Sequence, residues 1–515
     1  MSAENRLQHL AAMADRALDV LVIGGGITGA GVALDAAARG LSVGLVERED
    51  FASGTSGRSS RLVHGGARYL RHGELGLVYE SLRERERLRR LAPHLVRPLG
   101  FLIPIRRPAN RLYMGTGLAL YDALTVGRNP ARHRWATPDD ARRLAPTLLR
   151  ASGGYLAFDC RTDDARLTLE VVRQAAARGA LVANHAEVED LLGDGRVRGA
   201  TVRDRISGGS LDVRAGVVVN ATGVWASRVH AHVVRRPPAL RPSKGVHVVL
   251  PRSRLPVRCA VTVPSVAGGG AMVFAIPWGP RVYAGTTDTP YDGPLPSPTV
   301  EREDVEVVLG SLARAFEGDL GPADVRASWA GVRPLLDTRK GATRDLSRRH
   351  VIYEDPPRLL TVTGGKLTTY RRMAEQVVDR ACEILAAGGR CPTRRLPLGL
   401  TVPYGQELER AAAAARSLGL GPDAGRRLVG RYGDDWSGVL DLVRDDPGLG
   451  EEAVPGLPVL RVEIEAAIRR EMALTGDDVL VRRTRLATMD AELAASVSGP
   501  WPAAGVPAEP RPPRR

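Results

Sequence analysis

The stretch that decides the fold is ALDVLVIGGGITGAGVALDAAARG, residues 17–40. It opens on an apolar run, 17–23, whose β-branched residues are typical of a strand buried on both faces of a parallel sheet. The next six residues, GGGITG, fit the pattern G-x-G-x-x-G, and the small residues 30–39 predict a helix with Gly40 as its C-cap. In this pattern Gly24 permits a tight turn, Gly26 lets the backbone approach a pyrophosphate, and Gly29 lets the helix pack on the strand.

A second strand and an acidic residue complete a dinucleotide-binding pattern. Residues 42–46 predict the strand, and Glu47 follows it at the position where a carboxylate accepts hydrogen bonds from ribose hydroxyls. The helix N-terminus favours the pyrophosphate. A glycine-rich turn in another kind of α/β protein is the alternative, but the order of strand, helix, strand and acid favours a dinucleotide. The residues assigned to this cofactor are Gly24, Gly26, Ile27, Thr28, Gly29 and Glu47.

Composition limits the class of protein. A chain of 515 residues is long enough for two or three domains, and 43% hydrophobic content is typical of a globular protein. No apolar run is long enough to cross a bilayer, and the N-terminal residues lack the features of a secretory signal, so secretion is not expected. The four cysteines form no C-x-x-C pair. We therefore predict neither a metal site nor a disulfide framework, and we expect a reducing cytosol.

The net charge of +15 is compatible with several kinds of partner. A basic protein attracts phosphorylated substrates, anionic lipid or nucleic acid. Arginines are spread along the chain without a nucleic-acid motif, and aromatic residues make up only 4%, so nucleic acid is not expected as a partner. The run RERERLRR, residues 83–90, predicts the solvated face of a helix.

The strand and helix patterns predict a first domain that is interrupted by a second. The dinucleotide-binding domain is assigned to residues 15–75, 151–243 and 336–390. Residues 76–150 and 244–335 are assigned to a substrate domain, because VHVVLP, MVFAIP and RVYAGTTD alternate as antiparallel strands. Residues 391–498 predict a helical C-terminal domain, and the proline- and arginine-rich tail 499–515 is expected to be disordered.

The segment HGGARYL, residues 64–70, supplies groups for chemistry. His64 and Arg68 are four residues apart, which places them on one side if the segment is helical. A histidine beside a cofactor can take a hydroxyl proton near neutral pH, and a structural histidine bonded to backbone is an equal alternative. Hydroxyl groups that could reach cofactor or phosphate oxygens precede this segment, at Thr55, Ser56, Ser59 and Ser60.

A third motif, GGKLTTYR at residues 364–371, introduces an amphipathic helix predicted over 367–387. Lys366 therefore lies near a helix N-terminus, a position that stabilises negative charge on a cofactor or a substrate phosphate. Arg333 and Arg344 are candidates for an anion clamp, because a guanidinium group matches phosphate oxygens. The strand-end turn NATG, with Thr222 and Gly223, suits close backbone approach to a cofactor.

These motifs lie within longer stretches that closely resemble the FAD-dependent glycerol-3-phosphate dehydrogenases, from about Leu18 to Thr488. DCRTDDARL, GTTD and GGKLTTYR are specific to this family and its oxidase relatives, whereas the glycine turn and NATG occur in many flavoproteins. The matching stretches are VIGGGITGAGVALDAAARGL, SSRLVHGGARYL, DCRTDDARL, NATGVWA, KGVHVVLPR, IPW followed by GTTD, GVRPL, TRD, LLTVTGGKLTTYR and VLVRRTR.

The resemblance implies an α/β fold of the D-amino-acid-oxidase and glutathione-reductase-2 type, with a Rossmann-like FAD-binding domain, an inserted antiparallel-sheet substrate domain and a helical C-terminal cap. It implies FAD as cofactor and sn-glycerol 3-phosphate as substrate, oxidised to dihydroxyacetone phosphate by hydride transfer from C2 to flavin N5. The residues that it assigns to catalysis are His64, Arg68, Arg333 and Lys366. Those assigned to substrate binding are Arg68, Tyr69, Arg333, Arg344 and Lys366. Further cofactor contacts are Thr55, Ser56, Ser59, Ser60, His64, Gly65, Thr222, Gly223, Gly364, Gly365, Lys366, Leu367 and Thr368.

The sequence does not decide the identity of the electron acceptor. The family's dehydrogenases pass electrons to membrane quinone, whereas an oxygen-reducing glycerol-3-phosphate oxidase shares nearly all of these residues. The resemblance implies a cytoplasmic protein held peripherally at the inner face of the cell membrane, and an anionic membrane surface suits the basic charge. A homodimer is left open, and a nicotinamide enzyme is disfavoured because the chain shows a single dinucleotide fingerprint.

Overall fold

The computed structural model describes residues 1–66, 70, 73–106, 109–149, 152–227, 240–336, 350–497 and 499. The strands are β1 (Leu18–Ile23), β2 (Val43–Val46), β3 (Leu62–Val63), β4 (Arg97–Pro104), β5 (Arg134–Ala136), β6 (Gly154–Arg161), β7 (Leu181–Ala183), β8 (Ala186–Leu192), β9 (Gly199–Asp204), β10 (Ser210–Asn220), β11 (Leu240–Pro251), β12 (Ala260–Pro264), β13 (Met272–Trp278), β14 (Arg281–Gly285), β15 (Thr289–Pro290), β16 (Ala327–Leu336), β17 (His350–Glu354) and β18 (Leu359–Gly364).

The helices lie between and after these strands. They are α1 (Ala3–Asp15), α2 (Ile27–Ala38), α3 (Leu75–Leu91), α4 (Ala109–Leu124), α5 (Pro138–Leu144), α6 (Asp164–Ala176), α7 (Arg302–Ala313), α8 (Tyr370–Leu385), α9 (Tyr404–Ser417), α10 (Pro422–Tyr432), α11 (Trp436–Asp445), α12 (Arg461–Arg470), α13 (Leu486–Met489) and α14 (Ala491–Ala495). None of the helices in the part of the chain that the structure describes combines the length and apolar character needed to span a bilayer.

The first sheet has eight strands and a parallel centre in the order β18-β10-β1-β2-β7. Its central strand β1 is buried on both faces, as an apolar run in a parallel sheet requires. Val20 and Val22 pack with α2, α6 and α8, whereas Leu21 and Ile23 pack towards α1 and the β8–β9 pair. The prediction of a doubly covered dinucleotide-binding sheet is confirmed.

The second sheet has ten strands and is largely antiparallel. Its long strand β11 pairs with β16 from Leu240↔Leu336 to Val249↔Ala327. One face packs on α5 and α7, and the other carries aromatic residues that include Phe101, Tyr283 and Trp329. This is the antiparallel sheet that the sequence predicts beside the cofactor domain.

The sheets divide the chain differently from the predicted segments at three places. β3, β6 and the first residues of β11 belong to the second sheet, although residues 15–75 and 151–243 were assigned to the first domain. β6 pairs with β3 and β4 in the second sheet. The chain therefore crosses from one sheet to the other within the segments that were assigned to the first domain. A boundary read from helix and strand patterns cannot detect such a crossing, because pairing partners are far apart in sequence.

The charged run 83–90 lies in α3, and the prediction of a solvated face holds for only part of it: Arg83 and Arg90 are exposed, whereas three of its charged residues are buried. Arg85 is fully buried and donates to Asp159 Oδ1 at 2.7 Å. Glu84 is also buried and accepts from Arg371 Nε at 2.7 Å and Nη2 at 2.8 Å. The run is charged because its buried face pairs with opposite charges on other elements, as buried charges require.

Helices α9–α12 form a separate small core after residue 391, around Tyr432, Trp436 and Leu440. They confirm the helical C-terminal domain. The following segment, Asp478–Arg483, is π-helical and turns back towards the first sheet. Apart from Gly499, the tail predicted to be disordered lies outside the described residues.

Candidate active site

The glycine-rich turn opens the start of α2 onto a large cavity. Gly24 has φ +105°, and a Cβ on it would lie 2.9 Å from the carbonyl oxygen of Ala221. A Cβ on Gly29 would lie 1.9 Å from the carbonyl oxygen of Gly24, so only glycine allows the helix to approach the strand this closely. A Cβ on Gly26 would instead have Ser56 Oγ, at 3.1 Å, as its nearest neighbour, and Gly26 lines the cavity. The positive end of the α2 dipole is therefore accessible to an anionic group.

Glu47 lies at the end of β2 and lines the same cavity. Its carboxylate accepts from the backbone N–H of Gly25 at 2.6 Å and of Glu49 at 3.0 Å. Burial raises the pKa of this carboxyl group, while the two backbone donors act in the opposite direction. These bonds fix the carboxylate at the edge of the glycine turn. Oε1 also accepts from Ser53 Oγ at 3.4 Å, whereas Oε2 retains capacity for a further donor.

The hydroxyl-rich loop 55–60 folds over the turn. Ser56 Oγ accepts from the N–H of Ile27 at 2.9 Å and so caps α2 from a distant part of the chain. All four predicted hydroxyl residues line the cavity, yet each has a protein partner. The partners of the other three are Val332 O for Thr55 at 2.6 Å, Asp164 Oδ2 for Ser59 at 2.6 Å, and His247 Nε2 for Ser60 at 3.0 Å.

Thr368 joins the second and third motifs. Its hydroxyl accepts from the backbone N–H of His64 at 3.1 Å and donates to the carbonyl oxygen of His64 at 3.1 Å. The backbone of His64 is thus fixed against the segment that carries Lys366. Both residues line the cavity, so the two motifs converge on one site although about 300 residues separate them in sequence.

Lys366 precedes a short 3₁₀ turn, Leu367–Thr369, and α8 begins only at Tyr370. The helix predicted over 367–387 is therefore shorter at both ends, since it also stops at Leu385 with Ala386 in the left-handed conformation. Lys366 Nζ donates to Ser81 Oγ at 3.2 Å. Lys366 lines the cavity one turn ahead of α8, rather than on the helix itself.

Arg333 enters the cavity from β16 of the second sheet. Its Nη2 donates to Thr286 Oγ1 at 2.8 Å, and Nη1 lies 3.6 Å from Asp288 Oδ1. A Cβ on Gly245 would come within 2.3 Å of Nη2, so the glycine leaves the room that the guanidinium occupies. The arginine is held in one orientation, as a residue that binds an anion through a planar donor fork requires.

Histidines also lie at both ends of the cavity besides His64. His247 is buried, stacks on Trp329 with ring centroids 4.8 Å apart, and has its pKa held well below the usual value by burial and by the positive charges of Arg333 and Arg61. His185 lies at the opposite end, where Nε2 is 3.0 Å from Asp478 Oδ2. Of the three, His64 is the one whose backbone is bonded to the segment that carries Lys366.

The cavity has a volume of about 1890 Å³, well above the roughly 300–1,000 Å³ of a site for a drug-sized ligand. It runs unbroken from Glu47 past the glycine turn to Lys366 and Arg333. The predicted residues that line it are Gly24, Gly26, Ile27, Thr28, Glu47, Thr55, Ser56, Ser59, Ser60, His64, Thr222, Gly223, Arg333, Gly364, Gly365, Lys366, Leu367 and Thr368.

Two predicted cofactor residues are not in the cavity wall. Gly29 is buried at the helix–strand contact described above. Gly65 is buried against Leu82, and its N–H donates to Tyr121 Oη at 3.0 Å. The structure shows a packing role for both glycines, and their assignment as cofactor contacts stays a prediction. Arg68, Tyr69 and Arg344 lie outside the described residues.

Sequence reasoning missed two groups of cavity residues. The first, in Thr286-Thr287-Asp288, surrounds Arg333, and the family stretch GTTD was the signal for it. The second comes from the C-terminal domain: Thr475, Gly476, Asp477 and Arg482 line the end of the cavity beside Glu47. The matching stretch VLVRRTR pointed to that region, but nothing local in it indicates a binding site.

Comparison with known proteins decides the family. A model described as FAD dependent oxidoreductase matches residues 19–380, and one described as C-terminal domain of alpha-glycerophosphate oxidase matches residues 391–499. Glycerol-3-phosphate dehydrogenase 2 of Mycobacterium tuberculosis is 41% identical over 506 residues, which are 95% of this chain and 86% of that protein. This chain belongs to the FAD-dependent glycerol-3-phosphate dehydrogenase family.

Other members of the glycerol-3-phosphate dehydrogenase family agree. The mitochondrial enzyme of Arabidopsis thaliana is 36% identical over 94% of this chain and 82% of its own length. The glycerol-3-phosphate dehydrogenase of Bacillus halodurans, solved in complex with FAD, superposes with a TM-score of 0.80 at 33% identity and covers 96% of this chain and 91% of that chain. The L-alpha-glycerophosphate oxidase of Mycoplasma pneumoniae, 15% identical with a TM-score of 0.57, shares the fold.

The cofactor of this family is FAD, and the residues present fit it. The space above Gly26 and the accessible start of α2 suit a pyrophosphate, and Glu47 stands at the strand end where ribose hydroxyls bind. The cavity continues beyond the glycine turn as far as Lys366, so it has room for more than the pyrophosphate and its ribose. The predicted FAD-binding fold and cofactor are confirmed, whereas the role of each contact residue stays a prediction.

Proposed function

We propose that the protein oxidises sn-glycerol 3-phosphate to dihydroxyacetone phosphate and passes the electrons to a membrane quinone. Bound FAD supplies the hydride acceptor, flavin N5, for the hydrogen on C2 of the substrate. The observation that carries the proposal is the convergence of Arg333, Lys366 and His64 on the cavity that also holds the dinucleotide turn. Two cations and a base are what a phosphorylated secondary alcohol needs for binding and deprotonation.

Arg333 binds the substrate phosphate. Its guanidinium is fixed by Thr286 and by the carbonyl oxygen of Thr287, which lies 3.4 Å from both terminal nitrogens. A fixed fork loses little conformational entropy when the anion binds. Arg344, Arg68 and Tyr69 are further substrate contacts by their position in the family motifs.

His64 takes the proton of the C2 hydroxyl as the hydride leaves. Thr368 supports this role, because its hydroxyl holds the backbone N–H and the carbonyl oxygen of His64, each at 3.1 Å, beside the segment that carries Lys366. His247 is the weaker candidate base, because burial keeps its pKa far below the usual value and its Nε2 bonds Ser60. Lys366 stabilises the negative charge that develops beside it.

An apolar arm of the cavity supports a lipophilic acceptor. It extends from Leu62 along the second sheet to α4, and glycerol 3-phosphate has no apolar group that would use it. The apolar residues that line this arm are Leu62, Leu70, Phe101, Ile103, Met114, Leu118, Leu120, Phe158, Met272 and Phe274. A quinone ring with an apolar tail matches such a lining.

The exposed face of α4, where Tyr113 and Leu120 also line the cavity, supports contact with the membrane. Leu112 is 77% exposed, Tyr113 62% and Leu120 46%, and their spacing places them on one face of the helix. We call these three residues and the neighbouring Val126 the α4 surface. Residues 106–134 contain six arginines and one aspartate, so the surface combines exposed apolar side chains with positive charge. That combination suits an anionic lipid interface on the cytoplasmic side.

The acceptor is tested on protein whose flavin has been reduced by substrate without oxygen. We expect a short-chain quinone to restore the oxidised flavin spectrum within the time of a turnover, and air to restore it far more slowly. Fast re-oxidation by air, with hydrogen peroxide formed in equal amount and no response to quinone, would favour the oxidase alternative and overturn the quinone assignment.

A further inference from the structure

The C-terminal domain contributes directly to the wall of the cofactor cavity. Thr475, Gly476, Asp477 and Arg482 line its end beside Glu47 and His185. These four residues follow α12 and belong to a region that a separate family model matches. The C-terminal domain thus closes the cavity at this end, whereas the dinucleotide turn belongs to the FAD-binding domain.

Two arginines of this region hold the loop after β2. Asp50, three residues beyond Glu47, is fully buried. It accepts from Arg482 Nε at 2.6 Å, and from Arg483 at 2.6 Å and 2.8 Å. Asn184 Nδ2 donates to it as well, at 2.9 Å. The negative charge of Asp50 is therefore balanced by two arginines of the C-terminal domain, Arg482 and Arg483.

A third arginine holds the other cofactor loop. Arg485 is 1% exposed and donates to the carbonyl oxygen of Gly57 at 3.0 Å. It also pairs with Asp163 at 2.9 Å and with Asp164. Asp164 in turn accepts from the backbone N–H of Ser59 at 2.9 Å. One guanidinium thus fixes two points of the loop that caps α2 through Ser56.

The carboxylates that these arginines hold are shielded from water: Asp50 and Asp164 are fully buried, and Asp163 is partly buried. Burial alone would raise the pKa of Asp163, but the positive charges of Arg485 and Arg431 outweigh it and hold that pKa well below the usual range. If the C-terminal domain moved away, Asp50, Asp163 and Asp164 would lose these donors. Both loops would then have to rearrange, because buried carboxylates without partners are unstable.

We propose that the C-terminal domain is a functional part of the FAD site, in which residues 475–485 close the groove beside Glu47 and clamp both cofactor loops. FAD binding and docking of the C-terminal domain are then linked, so each strengthens the other by the same factor. Arg483 and Arg485 are positioning residues in this scheme. The inference depends on FAD binding alone and not on the proposed substrate or acceptor.

The test compares FAD affinity in full-length variants. Arg485→Met and Arg483→Met should weaken FAD binding at least tenfold, measured as flavin fluorescence released on dilution of the holoprotein. The matched control is Arg281→Met, because Arg281 also makes an ion pair with the C-terminal domain, through Asp490 at 2.8 Å, but this pair includes no residue of either cofactor loop. Its FAD affinity should stay within twofold of wild type. Equal FAD affinity in all three variants would overturn the proposal.

A second measurement needs no variant and so remains decisive if a substitution prevents folding. Hydrogen exchange of the wild-type protein is followed with FAD bound and after FAD removal. Linkage predicts that amides of 461–497 exchange at least tenfold faster without FAD, although most of them lie away from the cavity. Unchanged exchange in this segment, with faster exchange confined to the glycine turn and loop 55–60, would show that the domain docks independently and would overturn the inference.

Discussion

Arg333 and Thr286 are joined by a hydrogen bond of 2.8 Å between Nη2 and Oγ1, across two strands of the second sheet. The two family stretches GVRPL and GTTD therefore meet at one guanidinium group. The carbonyl oxygen of Thr287 and the carboxylate of Asp288 lie on its other side. The arginine is oriented before any substrate arrives, which is the property that makes a cation effective in binding a phosphate.

Removal of this cation should harm catalysis without releasing the cofactor. We expect Arg333→Ala to lower kcat/KM for glycerol 3-phosphate by about 100-fold, roughly 3 kcal/mol, because a charge-assisted contact to the substrate is lost. FAD content should match wild type. The control is Arg254→Ala, which breaks an ion pair with Asp324 at the surface. Wild-type activity in Arg333→Ala would contradict the assignment of Arg333 to phosphate binding.

A glycine beside Arg333 gives a subtler test. The Cβ introduced by Gly245→Ala would lie 2.3 Å from Arg333 Nη2 and 2.5 Å from Thr286 Oγ1. The added Cβ should displace the guanidinium from this position, so KM rises about tenfold while the folded protein and its FAD are retained. Steady-state kinetics and a thermal melt check this. A control at the exposed Gly405, where a Cβ meets nothing within 4 Å, should leave KM unchanged, and an unchanged KM in Gly245→Ala would argue against the placement of Arg333.

Replacement of His64 should slow the chemical step. We expect His64→Ala to reduce the rate of flavin reduction by about 100-fold or more, because a general base contributes roughly 10²–10⁴-fold. The measurement is a stopped-flow reduction at saturating substrate. His133→Ala is the control, since His133 bonds Asp122 at 2.7 Å outside the cavity. If His64→Ala reduces its flavin at the wild-type rate, His64 is not the base.

The α4 surface predicts a defined effect on membrane binding. Leu112→Glu and Leu120→Glu should each weaken binding to vesicles that contain phosphatidylglycerol by about tenfold or more, since apolar area is lost and a repulsive charge is added. Leu493→Glu is the matched control, because Leu493 is 38% exposed on the C-terminal domain. Vesicle sedimentation measures the binding. Equal losses in all three variants would indicate a general charge effect and remove α4 from the interface.

A buried ion pair between domains predicts an acid-sensitive component of stability. Burial alone would raise the pKa of Glu471, but Arg166 outweighs it and lowers that pKa from 4.5 to about 2. The ionised form is favoured in the folded state, so this stabilisation is complete above about pH 4.5 and is lost as pH falls through 2. Glu471→Gln should cost about 3–5 kcal/mol near neutral pH, because buried Arg166 is left unpaired.

The pH dependence distinguishes this pair from general acid unfolding. The difference in melting temperature between wild type and Glu471→Gln should shrink between pH 4.5 and pH 2. Glu383→Gln, which removes an exposed partner of Arg380, should melt like wild type at every pH. A constant difference between wild type and Glu471→Gln across that range would contradict the assigned pKa.

Much of the first sheet could be predicted from local patterns. The conformations of the strand before Gly24 and of the turn itself depend mainly on their own residues, because the strand preference of buried β-branched residues and the steric freedom of glycine act over a few positions. The predicted strand 42–46 coincides with β2. Motif positions likewise indicated that His64, Arg333 and Lys366 share one site.

The rest depends on contacts that no local pattern contains. Arg85 and Glu84 looked solvated because their partners, Asp159 and Arg371, lie on distant elements. Gly65 appeared to be a cofactor contact, yet its neighbour is Tyr121. The arginines that hold Asp50 come from more than 400 residues away. Charge pairing across domains is decided by the fold, so periodicity and spacing could not reveal it.

The most direct test of the central claim is an anaerobic absorption spectrum of the purified holoprotein before and after addition of glycerol 3-phosphate. The proposed function predicts rapid loss of the oxidised flavin band, about one substrate oxidised per flavin, and no change with glycerol, which lacks the phosphate that Arg333 binds. A flavin that stays oxidised with glycerol 3-phosphate would contradict the proposed substrate while leaving the FAD-binding fold in place.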